Sequence, residues 1–198
     1  MSLQYFPSTS SSGGGGGGLS FISTQTASGD TSVIFPLTGG TQSFYFTFNS
    51  IEASVTGPTL DFQVSTDGTN YSTTHTSGAF RLFYRTSNSG FGEAPNGQAG
   101  DSTAMQPLSE TGNLGYGATG NNLSGHLQIF SVADTSVYKQ YTARTMTCGL
   151  GGGTSEQFES YYDSAGVWQT VSALTHVKFA MSSGTLTGML TLYGLAES

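Results

Sequence analysis

The chain has 198 residues, enough for one β-sandwich or barrel with a sizeable core. Only 9% of them are Asp, Glu, Lys or Arg, and 29 are Gly; the polar load falls on Ser, Thr, Asn and Gln, which excludes a helical, ion-pair-laced surface. Twelve acids against five bases give a net charge of −7 with no basic run, which excludes the clustered Lys and Arg on which nucleic-acid affinity rests.

Residues 1–18 read as an arm. An apolar tip with Leu3, Tyr5 and Phe6 precedes a Ser/Thr run and six glycines, Gly13 to Gly18. Ordering each glycine costs roughly 1–2 kcal/mol of backbone entropy with no side chain to offset it, so a flexible, Gly-rich arm is expected. Leu3, Tyr5 and Phe6 are then candidates for contact with a partner. The start has no basic, then apolar, leader pattern, and no window reaches about 18 apolar residues, so neither a signal peptide nor a membrane span is expected.

Residues 19–198 read as one all-β sandwich domain. Val33-Ile34-Phe35 is a short strand bounded by Gly29-Asp30 and Pro36. Phe44, Phe46 and Phe48 alternate with Tyr45 and Thr47, the period of a half-buried strand. Leu60, Phe62 and Val64 alternate with Asp61, Gln63 and Ser65, and Asp67-Gly68 predicts a hairpin turn returning through Tyr71. Ala79 to Arg85 is a further strand. Phe44, Phe46, Phe48, Phe62 and Leu190 are the expected core.

Between Asn88 and Asn122 the alternation gives way to Gly, Asn, Pro and Ser, which reads as a long loop. Such loops carry contacts, and Phe91 and Tyr116 are its candidates. Leu123 to Phe130 and Leu186 to Tyr193 follow one formula: Leu, Ser or Thr, Gly, any residue, Leu, a polar residue, Ile or Leu, an aromatic. Both read as strands with a glycine where a bulge or close backbone approach is needed. Between them come a turn at Asp134-Thr135-Ser136, a strand from Val137 to Cys148, a break at Gly149 to Gly153, and strands at Gln157 to Tyr162 and Val167-Trp168. Leu174 to Met181 and a Ser182-Ser183-Gly184 turn lead into the second copy of the formula. Tyr161, Tyr162 and Trp168 flank a predicted turn, Asp163-Ser164-Ala165-Gly166. Two readings stand: aromatic anchors for a sugar or a protein partner, or caps on the core.

No constellation for catalysis assembles. His75, His126 and His176 lie in separate segments without a ligand partner at metal spacing, and Cys148 is the lone cysteine. The glycine run after Cys148 lacks the Lys-Ser/Thr ending of a phosphate loop, and no Gly-x-Ser-x-Gly occurs. Catalytic, cofactor-binding and metal residues are therefore expected to be none.

The order of segments resembles a family of tailed-phage virion proteins, many from marine and cyanobacterial phages. The resemblance is carried by the glycine tract leading into Leu19 to Ser28, by Phe62 to Gly68, Leu123 to Phe130 and Val137-Tyr138-Lys139, and by Val177 to Gly184 running on to Leu192-Tyr193-Gly194. It spans roughly residues 13–195, and residues 88–122 depart from it. The resemblance implies a jelly-roll-like β-sandwich, often oligomeric, that serves as a non-enzymatic virion structural protein, made in the host cytoplasm and placed on the virion surface. A capsid decoration or cement protein, attached through its arm to the major capsid protein or other virion subunits, is the first expectation. A tail-fibre or receptor-binding module for host-surface glycan is the second, and a polysaccharide-cleaving enzyme the third. A homo-oligomer is expected as well, with neither nucleic acid nor membrane as a partner.

Overall fold

The computed structural model describes residues 18–38, 43–85, 89–93, 99–109, 121–150 and 157–195. Among them are thirteen strands, no helix, and two antiparallel sheets packed as a sandwich. Four strands precede the first insertion: β1 (Leu19–Asp30), β2 (Val33–Pro36), β3 (Ser43–Ala53) and β4 (Leu60–Ser65). The insertion is β5 (His75–Arg85), β6 (Ser89–Glu93) and β7 (Ala99–Ser102). After β8 (Gln106–Pro107) and β9 (Asn122–Phe130), a second insertion, β10 (Lys139–Leu150) and β11 (Gln157–Trp168), leads to β12 (His176–Met181) and β13 (Leu186–Leu195).

Without the insertions, the chain is one long antiparallel ribbon: β1 pairs β13, β2 pairs β12, β3 pairs β9 and β4 pairs β8. The ribbon is rolled so that β13 also lies beside β3, and β12 beside β4. The sheet orders are therefore β1-β13-β3-β9 and β2-β12-β4-β8. Both insertions extend the first sheet past β9, in the order β10-β11-β5, with β6 and β7 sharing the outer margin of β5. We call this extension the wing.

The five expected core residues, Phe44, Phe46, Phe48, Phe62 and Leu190, are all buried. Phe46 meets Phe179 and Phe35 edge-on, at ring-centroid distances of 5.2 and 5.5 Å, and Phe62 carries the packing on to Tyr141 and Trp168 at 5.0 and 5.4 Å. Edge-to-face rings contribute about 0.5–1.5 kcal/mol per pair beyond the area they bury. The two repeated segments lie in β9 and β13, on either side of β3. Their glycines are places of close approach: a Cβ on Gly125 would stand 2.3 Å from the Arg144 carbonyl oxygen, and one on Gly188, at a bulge with φ of 137°, 2.6 Å from that of Ser50.

Four expectations need correction. Asp67-Gly68 does reverse the chain, with Asp67 Oδ1 accepting from the Thr69 and Asn70 amides at 2.8 Å, yet β4 and the following strand lie in different sheets, so no hairpin forms. Residues 88–122 hold β6, β7 and β8 rather than one loop, because short Gly- and Ser-rich runs gain their order from pairing with β5 and β4. Asp163 to Gly166 is no turn; β11 runs through it unbroken. Gln63 and Ser65, on the polar alternation of β4, are buried. The Gln63 amide donates toward the carbonyls of Thr73, Thr103 and Ala104 and accepts from Trp168 Nε1 at 2.9 Å, which satisfies a polar side chain where burial would otherwise be costly. The arm, with Leu3, Tyr5 and Phe6, lies outside the described residues, as does Tyr116.

Candidate partner-contact surface

The sandwich buries one face of the large sheet, the wing's share of that face included, as Tyr141, Ala143, Thr145 and Tyr162 show; no described strand lies over the other face. Directly paired residues on antiparallel strands share a face, so the register of the wing fixes its outer rows. Arg144 pairs with His126 on β9 and Asp163 on β11, and Asp163 with Phe80 on β5. One step along, Met146 pairs with Tyr161, Tyr161 with Leu82, and Leu82 with the backbone position of Phe91 on β6.

This face is apolar and open to solvent. Phe80, Leu82, Tyr84, Met146 and Tyr161 are each between 38% and 54% exposed. A shallow groove of about 590 Å³ runs over Gly78, Thr142 and Ala165, whose lack of bulk lowers its floor, beside Phe80 and the Arg144–Asp163 pair. A second hollow of about 220 Å³ lies among Phe80, Leu82, Arg144, Tyr161 and Asp163. Arg144 Nε donates to Asp163 Oδ1 at 2.7 Å and its Nη2 to Oδ2 at 3.2 Å, a planar two-point fork between the hollows. The hydrogen bond and charge of Asp163 raise the Arg144 pKa further, so the guanidinium stays charged. Beside it His126 stacks on Tyr45 at 5.3 Å, and burial, reinforced by Arg144 and opposed by Asp163, lowers the imidazole pKa and favours its neutral form.

Of the sequence-derived candidates, Tyr161 is on this surface, and the backbone register places Phe91 in the same row. Tyr162 and Trp168 are not on it. Because β11 is one unbroken strand, alternation turns them to the opposite face, where both are buried. Trp168 packs on Phe62 and Tyr141; Tyr162 packs with Ala79. Gly166 belongs to this packing rather than to a turn, since a Cβ there would come within 2.6 Å of the Thr76 carbonyl oxygen and of the Tyr141 ring. Phe80, Leu82, Tyr84, Arg144 and Met146 were not singled out from the sequence. The alternation Phe80-x-Leu82-x-Tyr84 was a legible signal, but it reads equally as a buried face.

Three titratable clusters elsewhere involve enclosed groups. His75 is buried with Nε2 3.1 Å from Gln106 Oε1. Burial lifts the Asp61 carboxyl to about 7, with a hydrogen bond from Thr59 opposing the rise, and burial, then Tyr141 and then Asp61, raise Tyr162. Asp61 Oδ1 and the Tyr141 and Tyr162 hydroxyls are out of contact with solvent. Among the described residues no group of three or more His, Cys, Asp or Glu gathers as a metal site.

No protein-family model matches this chain, and no curated protein matches it.

Proposed function

We propose that this protein is a non-enzymatic virion structural protein of a tailed phage, a capsid decoration or cement subunit that seats the outer face of its wing on the major capsid protein or another virion subunit. The observation that carries the reading is the aromatic-walled groove on the outward face of the sheet extension, which no described strand covers. A contiguous exposed apolar patch on an otherwise polar surface marks a site of association. The ribbon pairing, rolled into β1-β13-β3-β9 facing β2-β12-β4-β8, supports reading the body as a jelly roll of eight strands, an architecture common in capsid proteins. The 17 residues before Gly18, with their apolar tip, suit a tether that strengthens attachment by avidity.

The test is the copy number in purified particles, measured by quantitative mass spectrometry against the major capsid protein. Stoichiometry comparable to the capsid subunit is expected. A handful of copies per particle would replace decoration with a tail appendage, and absence from particles would overturn the proposal.

One observation favours that second reading, a tail-fibre or receptor-binding module. Exposed Tyr161 beside a planar Arg–Asp fork offers a stacking platform and directional hydrogen bonds, the elements that sugar recognition uses. Binding of the purified protein to host-surface polysaccharide, abolished by Tyr161→Ala, would select it. Depolymerisation of that polysaccharide would instead reveal an enzyme.

A further inference from the structure

An open sandwich has four sheet margins, and a strand at a margin presents unpaired N–H and C=O groups to any strand that can approach. Three margins here are blunted. β2 is four residues long and closes on Pro36, and β8 is two residues, one of them Pro107; proline removes the N–H that an incoming strand needs. The margin beyond β5 is divided between β6, five residues ending in Glu93, and β7, four residues.

The fourth margin has no such safeguard along most of its length. β1 is 12 residues long, without Lys, Arg or Pro, and its single charge, Asp30, is its last residue. Among the described residues its one strand neighbour in the sheet is β13. Register shifts at Phe21/Ser23 and Ser28/Asp30 bend the two ends, leaving a regular run from Ser23 to Ser28. Thr24, Thr26 and Ser28 are exposed along it, and Leu19 and Phe21 stand exposed at the entry.

We infer that β1 is a homodimer interface: two copies pair their β1 strands antiparallel about a two-fold axis, joining two nine-stranded sheets into one. The occupant is a second copy because the run complements itself. Antiparallel self-pairing about Thr26 sets Thr26 opposite Thr26 and Thr24 opposite Ser28, a favourable cross-strand combination, and sends the two Asp30 carboxylates to opposite ends. A parallel approach would put those carboxylates side by side. The two-fold uses both margins completely, so the contact closes at two copies instead of propagating.

The experiment is sedimentation equilibrium of the full chain beside Thr26→Lys and Thr26→Ser. Thr26 is exposed and paired with Met189, so neither change disturbs the core. The natural chain and Thr26→Ser are expected to be dimers. Thr26→Lys places a charge on each side of the new seam and weakens the dimer about tenfold or more, with circular dichroism and melting temperature unchanged. Amide hydrogen exchange supplies the second readout: in the natural chain all amides from Ser23 to Ser28 are protected, and in Thr26→Lys the outward-pointing half exchanges fast. A monomeric natural chain overturns the inference. So does a folded Thr26→Lys that dimerises as tightly as the natural chain, and should that variant misfold, fast exchange at alternate β1 amides of the natural chain does the same.

Discussion

Phe46 and Phe80 are the same residue type in the same sheet, four strands apart in the order β3-β9-β10-β11-β5. Phe46, in the rolled half, is 0% exposed beneath Phe35 and Phe179 of the small sheet; Phe80, in the wing, is 47% exposed. Both lie on strands of alternating apolar residues, so local pattern does not separate them. What separates them is the face: register runs from Phe46 through Leu127, Ala143 and Ser164 to Ala79, so Phe80, one residue on, lies on the side opposite Phe46, which no described strand covers. The inward face therefore uses its aromatic residues for stability, Tyr141, Tyr162 and Trp168 of the wing among them, and the outward face of the wing keeps Phe80, Tyr84 and Tyr161 available for contact.

The comparison is sharpened most by truncating both rings. Phe46→Ala should cost about 3–5 kcal/mol through lost burial and the cavity left behind, whereas Phe80→Ala should stay within about 0.5 kcal/mol. Denaturant midpoints read both, and equal shifts would mean that the wing face is covered after all.

The next effect lies where roll and wing meet, at Asp61 on β4 and Tyr162 on β11. Folding lifts the Asp61 carboxyl to about 7 from its ordinary value of 3.8, so the folded state holds a proton that the unfolded chain has already released. Its contribution is at its most favourable below about pH 4, falls as pH rises through 7 and is level above that, with a total of a few kcal/mol at most. Asp67 and Asp134, held low by hydrogen bonds within their turns, act in the opposite sense as pH falls below about 4. Asp61→Asn should remove the loss between pH 4 and 7 in a series of urea titrations; a slope unchanged in that variant would assign it to another group.

The smallest effect on stability should come with a large effect on association. Leu82→Ser and Tyr161→Ser remove exposed apolar surface and should move the melting temperature by no more than about 2–4 °C while reducing particle occupancy severalfold. Full occupancy with both changes in place would take the partner contact away from the wing.

Much of the roll was legible because its signals are local. Alternation in 44–48 and 60–64, the turn residues at Asp134 and Ser182 to Gly184, and the repeated formula of β9 and β13 each need only the spacing of neighbours along a strand. The glycine in that formula was legible too, as a place where backbone approaches backbone.

The contact surface was legible only in part. Tyr161 was named for being aromatic beside a supposed turn, and its neighbour Tyr162 was named on the same ground, yet one faces solvent and the other the interior. Asp163-Ser164-Ala165-Gly166 has turn composition, but pairing with Ala143, Arg144 and Phe80 on two flanking strands holds it extended. Likewise β6, β7 and β8 have loop composition and become strands because β5 and β4 offer them free margins.

Taken by itself, the sequence determined that the chain is all-β, where β2, β4, β9, β12 and β13 lie, and which apolar residues of the rolled half face inward, since period and turn chemistry act over a few residues. Only the tertiary structure decided that β5, β10 and β11 join the large sheet beyond β9, and which of their two faces turns to the interior and which stays wet. Sheet order is a property of pairings between residues far apart in the chain, and period-2 alternation is the same whether or not a second sheet lies above it.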